Sequence, residues 1–331
     1  MTRDLPQIVA ALKGSASVAI LSHVRPEGDT LGAALACHLT LKAMGKEVAT
    51  FNPDPVPKTL RALPGASEVI RADRLPRRFD AVLVVDATDP GRVGGLLRDL
   101  PPGSPVINID HHISNVRFGT YNWVDPEASA AGEMIYHLIE ALGVPVSREA
   151  ATNLFVAILT DTGSFHYANT TPRALRVAAA LVDAGAVPHE VAGLLFDQRE
   201  VEELRLLGSL LSRVQLSSDG AVAWVEVTRD VLKQHDATDA LEDLINYPRS
   251  VRGIKVALLL REEVGQGVRI SLRSKGEVDV AAVASVFHGG GHKNAAGCTV
   301  VGSLAEVRER IFAEVRRVVS RSQGASGDGK G

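Results

Sequence analysis

Three short apolar runs, each ending abruptly in ionisable side chains, constrain the fold of this chain more than any other feature. Residues 16–21, 81–85 and 106–109 are apolar and rich in β-branched residues. This texture predicts buried parallel strands. Ligands of parallel sheets bind outside the carboxyl ends of the strands. We therefore expect one crevice to collect the side chains that follow the three runs, which are His23, Asp86, Asp110, His111 and His112.

Helical periodicity lies between and after these runs, which predicts an α/β fold. We expect helices over 30–45, 130–142 and 147–161, the last beginning at a Ser147 cap and reaching Asp161. Later runs at 221–227, 256–260 and 268–272 predict strands of a second, smaller α/β domain. The predicted organisation is an N-terminal parallel-sheet domain over 1–190, a helical connector over 191–215, the smaller domain over 216–320 and a disordered tail over 321–331.

Composition limits the partners of such a chain. The 331 residues carry 36 basic and 39 acidic side chains and only 4% aromatic residues. A binder of long nucleic acid is normally more basic, and a stacking platform for single strands needs more aromatic side chains. Two cysteines, Cys37 and Cys298, are too few for a disulfide framework. No apolar run is long enough for a membrane span. We expect a cytoplasmic protein with no membrane partner.

The loop after the first run adds Glu27 and Asp29 to His23, and Asp161 stands at a predicted helix end. Four carboxylates (Glu27, Asp29, Asp86 and Asp161) meeting in one crevice would repel one another and be costly to desolvate. Two divalent cations would neutralise them, and mixed carboxylate and imidazole ligands favour Mn²⁺ over Mg²⁺. Such a pair of ions, about 3.5–4 Å apart, activates hydroxide for in-line attack on phosphorus.

A second cluster in the smaller domain predicts an anion site. Backbone N–H groups of a glycine run can cradle an anion, and Gly289–Gly291 precede His292. Strand alternation places Arg269, Ser271 and Arg273 on one face. The interpretation is a clamp for a nucleotide or terminal phosphate. Its expected residues are Arg269, Ser271, Arg273, Ser274, Gly290, Gly291 and His292.

These clusters, in this order, resemble the DHH phosphoesterases that carry a C-terminal DHHA1 domain. The resemblance covers roughly residues 5–320 and is nearest to the stand-alone oligoribonucleases that also dephosphorylate 3′-phosphoadenosine 5′-phosphate (pAp). It implies a DHH catalytic domain followed by a DHHA1 substrate-binding domain. It also implies two Mn²⁺ ions, with Mg²⁺ or Co²⁺ as substitutes. The implied substrates are pAp and short RNA, from dinucleotides to about pentanucleotides.

The resemblance also implies a role for each site residue. One ion would be held by His23, Glu27 and Asp86, and the other by Asp29, Asp86, His111 and Asp161, with Asp86 bridging. His112 would contact the substrate phosphate or the leaving group, and Asp110 would orient the histidines. Arg273, Ser274 and His292 would hold the far end of the substrate.

One departure is that Glu27 stands where the family pattern usually has Asp. Glutamate is one methylene longer, so the first ion site is where spacing or metal preference would change. Alternatives stay open at this point. They are a phosphodiesterase for cyclic di-AMP or its linear product pApA, and a catalytically inactive nucleotide-binding regulator on the same scaffold. Homodimerisation also stays open, because nothing in the sequence specifies it.

Overall fold

A computed structural model of the protein describes residues 4–101, 103–234, 243–263 and 267–324. Contacts along the backbone divide the chain into two units, Met1–Gln198 and Arg199–Gly331. Each unit builds its own six-stranded sheet and buries its own apolar side chains around that sheet.

The first unit contains a fully parallel sheet. Its strands are β1 (Ser17–Ser22), β2 (Glu47–Asn52), β3 (Val69–Arg71), β4 (Ala81–Val85), β5 (Val106–Asp110) and β6 (Tyr121–Val124). They lie in the order β3-β2-β1-β4-β5-β6. The three predicted strands are confirmed as β1, β4 and β5, whereas β2, β3 and β6 were not predicted. The order runs outward from β1 in one direction and from β4 in the other, so the topological switch point lies between these two strands.

Helices cover this sheet. They are α1 (Leu5–Gly14), α2 (Gly28–Ala43), α3 (Ala131–Leu142), α4 (Arg148–Asp161), α5 (Pro172–Asp183) and α6 (Pro188–Phe196). Helix α2 is buried along most of its length and crosses α4 closely at Gly32. A Cβ atom on Gly32 would lie 2.3 Å from the carbonyl oxygen of Asn153, so only glycine fits there. The predicted cap of α4 is confirmed, since Ser147 accepts a hydrogen bond from the Ala150 amide.

No single helix among the described residues is long and apolar enough to cross a membrane. One consecutive pair, α5 and α6, meets that requirement only when its two members, bent by 105°, are taken together.

The second unit contains a mixed sheet. Its strands are β7 (Gln215–Leu216), β8 (Val222–Val227), β9 (Val256–Glu263), β10 (Gly267–Ser274), β11 (Gly290–His292) and β12 (Ala295–Val300). They lie in the order β11-β12-β10-β9-β8-β7, and only β8 and β9 pair in parallel. Its helices are α7 (Val201–Leu211), α8 (Arg229–Gln234), α9 (Asn246–Ser250), α10 (Val280–Val286) and α11 (Leu304–Gly324). The predicted α/β class of both units is confirmed.

The predicted connector, 191–215, is not one element. Helix α6 packs into the apolar core of the first unit through Val191, whereas α7 packs Leu206 and Leu210 against strand β8 in the second unit. Leu204, on the other face of α7, is 51% exposed. The break between the units therefore falls inside the predicted connector, between α6 and α7.

The predicted disordered tail, 321–331, begins inside a helix. Helix α11 continues to Gly324, so residues 321–324 of the predicted tail are helical. Residues 325–331 lie outside the described part of the chain, and the tail prediction for them stays a prediction.

Candidate metal centre

The segment that runs from β1 into the first turn of α2, the β1–α2 loop, supplies His23, Glu27 and Asp29. His23 is buried, and its Nδ1 donates to the carbonyl oxygen of Val24 at 2.7 Å, so the neutral ring presents Nε2 as an acceptor. Asn52, at the end of β2, donates to the carbonyl oxygen of His23 at 2.8 Å and fixes the loop. Glu27 occupies the position just before α2 and is exposed. The loop therefore presents one imidazole and two carboxylates at the carboxyl end of β1.

Asp86 is the central carboxylate of this edge. It is buried directly after β4 with a φ of 58°, a backbone conformation that costs about 1–3 kcal/mol outside glycine. Its Oδ2 accepts from Thr30 Oγ1 at 2.6 Å and lies 3.3 Å from His23 Nε2. Its Oδ1 has no hydrogen-bond partner among the described residues, although His112 Nδ1 and His111 Nε2 lie 3.5 and 3.7 Å away. A buried oxygen of this kind suits a divalent cation.

Asp110 has a different environment from Asp86. It ends β5 fully buried, and its Oδ1 accepts from the His111 amide at 2.8 Å and from His112 Nδ1 at 2.7 Å. Its Oδ2 accepts from Asn115 Nδ2 at 2.6 Å. His111 donates through Nδ1 to the carbonyl oxygen of Ala128 at 3.2 Å, which turns Nε2 toward the other carboxylates. Oδ1 of Asp110 thus orients the two histidines, and Asn115 holds Oδ2.

Asp29 and Asp161 approach His111 from two helices. Asp29, in the first turn of α2, accepts from the backbone amides of Ala131 and Gly132 at 2.7 and 2.8 Å, at the start of α3. Asp161 is the last residue of α4. The Oδ2 atoms of Asp29 and Asp161 lie 3.5 and 3.8 Å from His111 Nε2. The carboxylates of Asp29, at the start of α2, and Asp161, at the end of α4, therefore both lie near His111 Nε2. The start of α3 holds the Asp29 carboxylate in place.

The carboxylates outnumber the charges that could balance them. Burial, together with Asp86 and Asp161, raises the pKa of Asp29 well above its ordinary value. Burial also raises the pKa of Asp161 to about 6, where His111 acts against the shift and Glu27 and Asp86 add to it. Burial alone would lower the pKa of His111, but Asp161 and Asp86 raise it. These opposed shifts indicate excess negative charge, which bound cations would neutralise.

The six residues predicted as metal ligands meet at this edge of the first unit. Ligand-type atoms lie within 4.8 Å of one another in two groups, His23 with Glu27 and Asp86, and Asp29 with His111 and Asp161. A third group joins Asp86, Asp110 and His112. The first group contains the three residues predicted for one ion, and the second contains three of the four predicted for the other, without Asp86. The role of each residue stays a prediction.

In the second unit, strand alternation holds for three of the predicted substrate residues. Arg269, Ser271 and Arg273 are half-buried and alternate with buried apolar residues along β10, so they share one face. Arg273 Nη1 donates to the carbonyl oxygen of Leu272 at 3.1 Å, and its buried Nε has no hydrogen-bond partner among the described residues. The three side chains share one face of β10, and their role as an anion site stays a prediction.

Ser274 does not fit the predicted clamp. It lies on the opposite face of β10 from Arg273 and is 1% exposed. Its Oγ donates to the carbonyl oxygen of Val278 at 2.6 Å and accepts from Asn294 Nδ2 at 2.8 Å. These bonds use its hydroxyl to hold the turn after β10, so Ser274 supports the strand end and has no exposed surface for a substrate.

The glycine run differs from the predicted open cradle. Gly290, Gly291 and His292 form β11, which pairs with β12 in a hairpin. A Cβ atom on Gly291, whose φ is 135°, would lie 2.4 Å from the carbonyl oxygen of Ala295. The glycines therefore allow close strand pairing. Because β11 is an edge strand, alternate N–H groups still point away from β12.

Sequence reasoning missed the residues that orient the ligands. Thr30 binds Asp86, and Asn52 fixes the His23 backbone. Asn115 donates to Asp110 and also, at 2.8 Å, to Asn108 Oδ1. Such side chains carry no periodicity, and only the place of Thr30 one residue after Asp29 gave any signal.

The chain matches known families along most of its length. The model described as the DHH family, N-terminal domain, matches residues 17–158, and the DHHA1 domain model matches residues 221–321. The chain is 38% identical to the bifunctional oligoribonuclease and PAP phosphatase NrnA of Thermus thermophilus, over 97% of this chain and 95% of that relative. The chain belongs to the DHH phosphoesterase family.

Further relatives agree with this family membership. A Bacillus subtilis protein, also described as a bifunctional oligoribonuclease and PAP phosphatase NrnA, is 29% identical over 84% of this chain and 87% of its own length. The crystal structure of an exopolyphosphatase-related protein from Bacteroides fragilis superposes with a TM-score of 0.87 at 25% identity, covering 96% of this chain and 98% of that one. The likeness of fold to that structure therefore covers nearly the whole chain.

Proposed function

We propose that this DHH-family protein is a metal-dependent phosphoesterase that hydrolyses short oligoribonucleotides to mononucleotides and removes the 3′-phosphate of pAp. The observation that carries the proposal is the carboxylate ring, which consists of Glu27, Asp29, Asp86 and Asp161. Within it, Oδ1 of buried Asp86 lacks a hydrogen-bond partner among the described residues. The described activities of the relatives from Thermus thermophilus and Bacillus subtilis support the choice of substrates.

Two divalent cations fit the donor set of the first unit. One would be held by His23, Glu27 and Asp86, and the other by Asp29, Asp86, His111 and Asp161. Four carboxylates with neutral imidazoles carry four negative charges, equal to the charge of two divalent ions. Oxygen and imidazole ligands favour Mn²⁺, with Mg²⁺ or Co²⁺ as substitutes. When bound, the ions supply Lewis acidity, which stabilises charge on phosphoryl oxygens and makes water a better nucleophile.

His112 is the proposed substrate-contacting residue of the first unit. Its Nδ1 donates to Asp110 Oδ1 at 2.7 Å, which fixes the ring orientation. Nε2 is then the nitrogen through which His112 contacts a phosphate oxygen or donates a proton to the leaving oxygen. Asp110 acts through His112 and is a positioning residue, held in turn by Asn115.

The second unit would bind the end of the substrate away from the reacting phosphate. Arg269, Ser271 and Arg273 share a face of β10, and guanidinium groups suit phosphate recognition. The edge amides of β11 and His292 would add donors. A pocket of this kind favours short nucleotides, which agrees with the net charge of −3. The dinucleotide pApA has the same chemistry and belongs among the candidate substrates.

The test is a substrate panel with a matched pair of variants on one strand. Protein with Mn²⁺ is incubated with pAp, diribonucleotides and pApA, and the release of mononucleotide is measured. Asp86→Asn should lower kcat/KM at least about a thousandfold, or about 4 kcal/mol, because the bridging carboxylate is lost. The control is Asp80→Asn at the other end of β4, where Asp80 accepts from the backbone amides of Ala16 and Ser17. It should keep the rate within about twofold.

Three outcomes would contradict the proposal. Tight nucleotide binding without turnover would favour the inactive regulator instead. Turnover of pApA alone, with neither pAp nor diribonucleotides hydrolysed, would favour a phosphodiesterase for cyclic di-AMP or its linear product pApA. Activity that survives in Asp86→Asn would place the reaction outside the carboxylate ring.

A further inference from the structure

Asn169 joins two backbone segments beside the metal centre, and sequence reasoning gave it no role. Its Nδ2 donates to the carbonyl oxygen of Ser129 at 2.9 Å and to that of Asp161 at 3.1 Å. The same nitrogen lies 3.5 Å from Asp161 Oδ2. All three neighbours are acceptors, so the amide nitrogen, with its two hydrogens, must face them. Only an amide side chain satisfies both carbonyl groups at once from this position.

The Asp161 side of this contact lies at a helix end. Asp161 is the last residue of α4, and the last carbonyl groups of a helix lack intrahelical partners. Asn169 supplies such a partner to the residue whose carboxylate stands 3.8 Å from His111 Nε2. Fixing the backbone of Asp161 limits the directions in which its carboxylate can point.

The Ser129 side leads to Asp29. Ser129 directly precedes the segment whose amides at Ala131 and Gly132 donate to the Asp29 carboxylate. Ser129 is itself held by Glu133, which accepts from its amide at 2.9 Å and its hydroxyl at 2.6 Å. Arg173 in turn forms an ion pair with Glu133. Asn169 is thus one hydrogen bond away from the backbone that holds Asp29.

A strained turn carries the chain from Asp161 back to Asn169. Gly163, Ser164 and Phe165 have successive φ values of 56°, 58° and 61°. The two residues after Phe165 both donate their amides to the carbonyl oxygen of Thr162, at 3.0 and 2.9 Å. Left-handed backbone at two consecutive non-glycine residues costs free energy and persists only where the surroundings determine it. The strain therefore serves a fixed placement of the segment that follows.

We propose that Asn169 is a positioning residue that holds Asp161 and, through Ser129 and the start of α3, Asp29 at the spacing required by one of the two ions. The inference rests on the proposed metal centre. It makes no use of the substrate, so it can fail independently of the proposed hydrolysis.

The experiment measures metal binding rather than activity. Mn²⁺ is titrated into metal-stripped full-length protein, and free Mn²⁺ is followed by electron paramagnetic resonance to give the number of ions and each Kd. Asn169→Ala should weaken one of the two ions about 10–100-fold and leave the other within about twofold. Asn169→Asp should weaken it further, because a carboxylate would face three acceptors.

The matched control is Asn122→Ala. Asn122 also ties backbone in the first unit, since it donates to the Gly119 carbonyl at 2.7 Å and accepts from the Gly119 amide at 2.8 Å. It should lower Tm about as much as Asn169→Ala while leaving both Mn²⁺ affinities unchanged. Should Asn169→Ala fail to fold, Asn169→Ser, which keeps one donor, should show the same selective loss to a smaller extent.

The outcomes separate the two proposals. Wild-type affinity for both ions in Asn169→Ala, or an equal loss of both that follows Tm, would overturn the positioning role. Wild-type protein that binds fewer than two Mn²⁺ ions would overturn it as well. Wild-type protein that binds two ions but hydrolyses none of the panel substrates would refute the proposed function, while a selective loss in Asn169→Ala would still support the role of Asn169.

Discussion

Buried polar side chains differ in their hydrogen bonding between the carboxyl edge of the first sheet and the end of β10 in the second unit. At the first, buried Asp86 and Asp29 crowd together with half-buried Asp161, and Asp86 Oδ1 lacks a partner among the described residues. At the second, buried Ser274 is satisfied by Val278 and Asn294. The first region leaves the buried Oδ1 of Asp86 available to a bound ligand. In the second region, the hydroxyl of Ser274 is used to hold the backbone of its own unit.

This difference separates a chemical site from a supporting one. Native proteins keep few buried polar atoms without partners, because each costs about 1–3 kcal/mol. The unpartnered Oδ1 of Asp86 therefore lowers the stability of the folded protein unless a bound ligand supplies the missing interaction. The carboxylate ring is therefore where metal removal and ligand substitutions should act on function. The buried Ser274 face of β10 is where a substitution should act on stability.

After Asp86→Asn, the next largest effect is expected at Glu27, the exposed member of the carboxylate ring. Glu27→Ala should lower kcat/KM about a hundredfold, or about 2.7 kcal/mol, because one ion loses a carboxylate ligand. Glu27→Asp should keep or raise activity, since the shorter carboxylate matches the family pattern. Both are measured over a Mn²⁺ titration. An unchanged rate in Glu27→Ala would remove Glu27 from the ligand set.

Helix packing gives a second contrast between the units, with a smaller effect that concerns stability alone. Gly32→Ala should destabilise the first unit by about 1–3 kcal/mol, because its Cβ would lie 2.3 Å from the Asn153 carbonyl oxygen on α4. Gly208→Ala is the matched control within α7, where nothing lies within 4 Å of an added Cβ atom. It should stabilise the second unit by about 0.5–1 kcal/mol, since alanine favours helix over glycine.

Urea unfolding of the two glycine variants provides the measurement. Equal and small changes for both would mean that α2 and α4 can move apart at Gly32. That result would contradict the close crossing that holds Asp29 on α2 near Asp161 on α4.

The sequence predicted the carboxylate ring because strand ends follow a simple rule. Apolar runs ending in His23, Asp86 and Asp110 can be recognised one at a time, and parallel pairing brings their ends to one edge. Strand β3 has only three residues and β2 starts exposed, so neither shows a buried run. Strand β2 forms by pairing with β1, and β3 by pairing with β2, and the sequence pattern does not encode this pairing.

The orienting residues could not be predicted for a related physical reason. Asn115 and Asn169 act through hydrogen bonds to backbone atoms that only the folded chain brings near them. Ser274 illustrates the opposite error. Strand alternation that places Arg273 on one face requires its neighbour on the other, so grouping both in one clamp conflicted with the period of the strand.

The smallest expected effects concern the adjacent residues Arg273 and Ser274. A result different from those expected would contradict the comparison between the two regions. Ser274→Ala should cost about 1–2 kcal/mol of stability, because it removes the partner of the Val278 carbonyl and of Asn294 in a buried position. It should leave KM for pAp within about twofold. Arg273→Ala should raise KM about tenfold, with kcat nearly unchanged, since a guanidinium on the half-buried face would bind phosphate away from the reacting atoms. Steady-state kinetics beside thermal unfolding measure both changes. A raised KM in Ser274→Ala at unchanged Tm would mean that Ser274 turns toward the substrate, and the supporting role assigned to the end of β10 would be wrong.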